Sequence, residues 1–219
     1  GEWVPDDASF ALCLTHDVDR PYKTYQSLYY ALGNPEKRRY HLSTLLPGAN
    51  PYWQFENIMA LEEDLGVRSA FYFLDEQRLL DRPPREWVTM RGWQLFAGRY
   101  GYDDPAIRRV VRDLDEGGWE VGLHGSYESP DDRARLGAEK RAIEGVLGHP
   151  VIGGRQHYLN LADDTWRHHA DIGLSYDASL GSSATFGFDH GYGIKRPFDD
   201  EFVVFPLTVM EQALPDPGE

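Results

Sequence analysis

Phe10-Ala11-Leu12-Cys13-Leu14-Thr15-His16-Asp17-Val18-Asp19 is an apolar run that ends abruptly in a polar cluster. Such a short run reads as a buried strand over 10–15, with the polar groups at its C-terminal end. Cys13, the only cysteine, is expected there as a buried, inert thiol. With a single cysteine, neither a disulfide within the chain nor a cysteine metal cluster can form. Side chains alternate along a strand, so Asp17 and Asp19 project to one side and His16 and Val18 to the other. Two carboxylates that close repel one another unless a cation lies between them or one holds a proton. One can then bind a metal while the other acts as a base.

Working outward, the pattern of strand followed by helix recurs. Residues 53–65 carry apolar residues at helical spacing and stop at Gly66, and 67–74 read as a strand. A helix over 104–116 has Asp103 or Asp104 at its N-cap and Pro105 in its first turn, and a strand follows at 119–124. A second helix spans 130–147, with Asp131 and Asp132 at its start and Gly148 at its end. Strands at 151–157, 174–177 and 202–209 and a helix at 162–172 complete the series. This alternation implies an α/β fold with a mainly parallel sheet, and both an open doubly wound sheet and a barrel fit it. Segments 33–51 and 75–103 read as long irregular loops that wall the C-terminal end of the sheet. No internal repeat or linker divides the 219 residues, so 1–219 is expected to be one domain.

Other strand ends add candidates. His124 ends the third strand, and Glu128 follows four residues later, a spacing that would face one metal in a helical turn. Arg155 and His157 share a face of the fourth strand by its two-residue period. Arg155 can pair with Asp17 and keep it ionised, and Asp177, ending the fifth strand, can orient Arg155 in turn. His41, His149, His168, His169 and His190 fall in loops or on a polar helix and are given no role.

The formal net charge is −14. An acidic surface repels phosphate, which argues against nucleic acid and anionic membrane as partners. No apolar run approaches the roughly 18–20 residues of a membrane span. The chain opens at Gly1 with no visible signal peptide. This favours the cytoplasm, although Gly1 in place of Met suggests a trimmed start.

In their order along the chain these residues resemble the polysaccharide deacetylase superfamily with its NodB-type domain. Thr15-His16-Asp17-Val18-Asp19 is similar to its first motif, Ala70-Phe71-Tyr72-Phe73 to the second strand, His124 to the first metal histidine, Arg155 to the arginine motif and Tyr176-Asp177 to the next motif. The resemblance implies a distorted (β/α) barrel and a metal-dependent hydrolase that removes N- or O-acetyl groups from a polysaccharide or cell-envelope sugar. Asp17 would be the base, supported by Arg155 and Asp177. Asp19 and His124 would hold a divalent metal, zinc before iron, cobalt or manganese, with Glu128 preferred over His157 as third ligand. Tyr127 or a backbone N–H would complete an oxyanion site, and Tyr127, Tyr158 and Trp53 would contact the acetylated carbohydrate. The family's last motif, a histidine that serves as general acid, has no counterpart after Asp177, so the chain is expected to lack its C-terminal strand. The alternatives are a small cyclic amide hydrolase and a non-catalytic sugar-binding or scaffold protein of the same fold.

Overall fold

The computed structural model describes residues 8–46 and 48–215. Residues 1–7, 47 and 216–219 lie outside the described residues, including both chain ends on which the expectations about a leader and a missing strand rest. In chain order the elements are β1 (Thr15–Val18), α1 (Gln26–Gly33), α2 (Arg38–Ser43), α3 (Phe55–Leu65), β2 (Ala70–Leu74), α4 (Pro84–Trp87), α5 (Met90–Phe96), α6 (Pro105–Glu116), β3 (Glu120–Gly125), α7 (Arg133–Leu147), β4 (Gly153–Gln156), α8 (Thr165–Asp171), β5 (Tyr176–Asp177) and β6 (Val203–Val204).

Local chemistry sets the helix ends. The Asp104 carboxylate accepts the Ala106 N–H behind Pro105, and the Asp132 carboxylate accepts the Arg135 N–H. α3 and α7 stop at Gly66 and Gly148, whose φ of 67° and 85° a side chain would disfavour. The two segments read as irregular contain short helices instead, α2 in one and α4 and α5 in the other, too brief for apolar periodicity to register.

All five strand pairings are parallel, and the spatial order is the sequence order. This order decides between the two architectures. A doubly wound sheet reverses its strand order part-way. An unreversed order with right-handed crossovers places every helix on one face and curls the sheet toward a barrel. On the helix face Phe71, Phe73, Val121 and Leu123 pack with Phe55, Ile107, Val111, Leu136 and Ile143 into the main core. Each buried side chain of this size contributes about 1.5–3 kcal/mol.

The inner face is built differently. Tyr72 and Tyr176 fill the space left by glycines on neighbouring strands: a Cβ at Gly153 would lie 1.9 Å from the Tyr176 ring, and one at Gly122 would lie 2.5 Å from the Tyr72 ring. β1 and β6 are the sheet's two ends, with Lys195 bridging antiparallel to Val204 on the free side of β6. Between them the barrel opens into a cavity of about 2550 Å³.

The expectation for 10–15 is corrected here. The strand begins only at Thr15, and Phe10, Leu12 and Cys13 are exposed. They line that open cavity, where no described strand covers them.

Candidate active site at the strand ends

At the C-terminal end of β1 the inward-facing carboxylates meet two separate sets of partners. Asp17 Oδ1 accepts the Arg155 Nη1–H at 2.9 Å, and both side chains are largely buried. Arg155 donates from Nε to the Ala178 carbonyl at 2.9 Å and lies 4.9 Å above the Tyr72 ring centre. The guanidinium is thereby fixed from two sides and holds Asp17 Oδ1 in place.

Asp19 Oδ1 lies 3.2 Å from His124 Nε2 and 3.5 Å from His157 Nε2. His124 donates its Nδ1–H to the Arg155 carbonyl at 2.8 Å, which turns the Nε2 lone pair toward Asp19. Burial raises the Asp19 carboxyl, but the neighbouring His124 and His157 imidazoles outweigh it and hold the group well below the usual carboxylate range. Burial depresses His124, yet Asp17 and Asp19 bring it to a net upward shift. His157 is lowered, because burial there outweighs Asp19.

Two outer props keep this end rigid. Tyr100 donates its hydroxyl to the Val18 carbonyl at 2.8 Å and accepts the Leu74 N–H at 2.6 Å, clamping β1 to β2. Arg99 donates to the Asp19 carbonyl at 3.1 Å. Arg99 did not stand out in the sequence, because it comes from a segment that reads as a loop, and Tyr100, one of that segment's aromatics that could have stacked on a sugar, is buried in this clamp instead.

His157 begins a single 3₁₀ turn, His157–Leu159, directly after β4. In it Tyr158 and Leu159 take φ of 59° and 54°, a left-handed pair unusual for residues other than glycine. The turn places the exposed Tyr158 ring 4.4 Å from the His157 ring, at the rim of the site.

Several candidates lie elsewhere. Glu128 forms a two-pronged ion pair with Arg82, both contacts at 2.8 Å, and a further one with Arg135 at 3.3 Å. The Arg82 hydrogen bonds hold its carboxyl below the usual range. The segment after Gly125 is no helix. Instead Glu139 accepts the Ser126 N–H and Glu76 the Tyr127 N–H, so the four-residue spacing does not aim Glu128 at His124.

The Tyr127 amide is therefore already committed, and the Tyr127 hydroxyl accepts from Arg91. Asp177 does not reach Arg155. It stands level with Gly154 in the register, on the helix side, where it accepts from Trp166 Nε1, the Ser179 N–H and the Ser179 hydroxyl. Trp53 stacks on Tyr22, meets Phe55 edge-on and donates its indole N–H to Glu56, which makes it part of the helix-side packing.

Among the described residues no three His, Cys, Asp or Glu side chains close into a complete metal-ligand set. Two edges of such a set are present, and they share Asp19 Oδ1. That oxygen is buried without a hydrogen-bond partner, as is His157 Nδ1. Ligand bonds of 2.0–2.1 Å in a tetrahedron imply ligand-to-ligand edges of about 3.3 Å. The observed 3.2 and 3.5 Å bracket that value. Asp19, His124 and His157 come nearest to such a set without completing it.

No family model matches the sequence, and neither does any curated protein. A solved structure from Mycobacterium smegmatis, assigned as a polysaccharide deacetylase, superposes with a TM-score of 0.53 at 18% identity over 93% of this chain and 60% of its own. The fold is that of the polysaccharide deacetylases. Two more distant structures carry no argument here. They are PuuE allantoinase (TM-score 0.44, 14% identity, 72% of this chain and 46% of its own) and a CE4 family pseudoenzyme from Bacillus anthracis (0.41, 13%, 75% and 41%). The chain thus spans about 60% of the length of the M. smegmatis structure. Within the polysaccharide deacetylase fold the strand-end cluster occupies the end where parallel barrels carry their sites.

Proposed function

We propose that this chain is the core of a metal-dependent hydrolase that removes N- or O-acetyl groups from a carbohydrate. The observation that carries the reading is the sharing of the buried Asp19 Oδ1 between His124 Nε2 and His157 Nε2, beside an Asp17 held by Arg155. His157, rather than Glu128, is the third ligand. Two imidazoles and one carboxylate suit zinc better than two carboxylates and one imidazole would. When bound, such an ion supplies a polarising charge for an acetyl carbonyl and favours hydroxide over water.

The chain's own residues do the remainder. Asp17 takes the proton from the attacking water at Oδ2, since Oδ1 is engaged by Arg155. Arg155 keeps that carboxylate aimed, and the Ala178 carbonyl and Tyr72 ring keep Arg155 in place. Tyr158, exposed at the rim, stacks against a sugar ring.

The leaving amine or alkoxide also needs a proton. His190, the last histidine in the sequence, is exposed. The reading assigns that role to an imidazole outside the cluster, since His124 and His157 serve as ligands. The test measures acetate release from a panel of acetylated oligosaccharides, with bound metal determined by elemental analysis. It uses both this chain and its His190→Ala variant. Metal bound without acetate release from either form would favour the non-catalytic alternative. Full turnover by His190→Ala would exclude His190 as that donor.

A further inference from the structure

The α1–α2 hairpin is built inside out. Where its two helices meet, the contacts are polar. Lys23 is buried, donating to His41 Nδ1 at 2.9 Å and lying over the Tyr40 ring; Ser27 and Thr44 share a hydroxyl contact at 2.9 Å, and Arg38 Nε donates to the Ala31 carbonyl. The residues α1 buries are Ser27 and Ala31, and α2 buries none. Most apolar side chains face outward: Leu28, Tyr29, Leu32, Leu42, Leu45 and Leu46 are all exposed, Leu32 to 78% and Leu46 to 63%, while Tyr30 packs on His41. A water-facing helix pair has the reverse pattern.

The charge of this region is also reversed. Between Arg20 and Asn50 the sequence carries Arg20, Lys23, Lys37, Arg38 and Arg39 against a single acid, Glu36, in a chain whose net charge is −14. Lys37, Arg38 and Arg39 are exposed at the start of α2.

We infer that this hairpin is a docking surface for an anionic lipid bilayer, on which it lies flat. Charge complementarity and the apolar side chains point to the same occupant. A polyanion in water would satisfy the three bases and leave the leucines wet. A purely apolar protein partner would take the leucines and bury unpaired cations. A lipid surface offers an anionic layer above hydrocarbon, and long basic side chains reach the first while leucine and tyrosine enter the second. Among the described residues no helix is long and apolar enough to cross a membrane, so the contact is interfacial. The averaged charge that argued against an anionic membrane does not describe this region. The hairpin follows β1 directly, at the sheet end that carries Asp17 and Asp19, so docking would hold the site near material attached to that surface.

The test is co-sedimentation of the full chain with vesicles of phosphatidylcholine alone and of phosphatidylcholine mixed with phosphatidylglycerol. Two variants accompany it, Lys37→Glu/Arg38→Glu/Arg39→Glu and Leu45→Ser/Leu46→Ser, and circular dichroism checks that each keeps its fold. The expected result is binding to the mixed vesicles and little to the neutral ones, against the sign of the net charge. The charge variant should partition about a hundredfold less and the leucine variant about tenfold less or weaker.

Absence of vesicle binding by the parent chain, or equal binding by all three chains, overturns the inference. So does a leucine variant that binds like the parent while the charge variant fails, above all if soluble polygalacturonate competes equally, because the surface then recognises a polyanion. A leucine variant that turns a dimer into a monomer on light scattering, with no change in vesicle binding, assigns the face to a second copy instead.

Discussion

Asp19 and Asp177 are both carboxylates at the C-terminal ends of strands, one on each face of the same sheet, and their surroundings are opposite. On the helix face Asp177 is fully buried and accepts three hydrogen bonds, from Trp166, the Ser179 amide and the Ser179 hydroxyl. On the inner face Asp19 presents a buried oxygen that lacks a hydrogen-bond partner, with two imidazoles around it. Buried polar atoms are normally satisfied. A satisfied carboxylate between sheet and helices is architecture. On the proposed function, the unsatisfied one at the barrel mouth is where a bound cation would sit.

The contrast can be broken most directly at Asp17. Asp17→Asn should cut acetate release by roughly 10²–10⁴-fold, the range for a lost general base, with metal content nearly unchanged. Equal loss of metal and activity would make Asp17 a ligand and dissolve the division of labour with Asp19. His157→Ala should weaken metal binding by more than the roughly 10–100-fold that loss of an outer-shell partner costs. Glu128→Gln should leave binding within a few-fold, because its partners are Arg82 and Arg135. Competition with a fluorescent chelator measures both, and an empty site in Glu128→Gln would restore Glu128 to the ligand set.

The helix face has its own tests. Burial pushes the Glu139 carboxyl up to about 7, against hydrogen bonds from Ser126 and the charge of Arg135. A carboxyl raised on folding binds its proton more tightly in the native state. It therefore favours folding below its unfolded value near 4.5 and loses that contribution as pH rises toward 7. The loss is on the order of 3 kcal/mol. Glu139→Gln should flatten the fall in denaturant stability between those pH values, and an unchanged slope would assign it to another group. Asp177→Asn should lower stability by about 1–3 kcal/mol, as expected for a disturbed buried acceptor. Thermal unfolding measures the shift, and activity per folded molecule should change little.

Much of this was legible in the sequence. The two-residue period places Asp17 and Asp19 on one face and His16 on the other, where His16 meets Glu62 of α3. Sequential strand–helix alternation gives the parallel sheet, although only the observed strand order selects a barrel. Glu128 was misplaced because a four-residue spacing points to one ligand only inside a helix. The turn after Gly125 is set by Glu139 and Glu76, from elements distant in sequence. Asp177 was misplaced because β5 has two residues, too few for alternation to declare a face. The outward leucines of the α1–α2 hairpin were illegible for another reason: apolar residues in a sequence carry no sign of which way they point.

The turn after His157 sets stability against chemistry. Each non-glycine residue in the left-handed region costs about 1–3 kcal/mol of native stability, and Tyr158 and Leu159 adopt it in succession. Glycine at 158 would relieve one of these strains while removing the ring that lies over His157. A selection for heat resistance alone should therefore favour Tyr158→Gly, and a selection for turnover should restore the tyrosine. On the reading proposed here, thermostabilising variants that accumulate at this turn would mark relaxed demand on catalysis, and a screen that reads only melting temperature would drift toward an inactive protein.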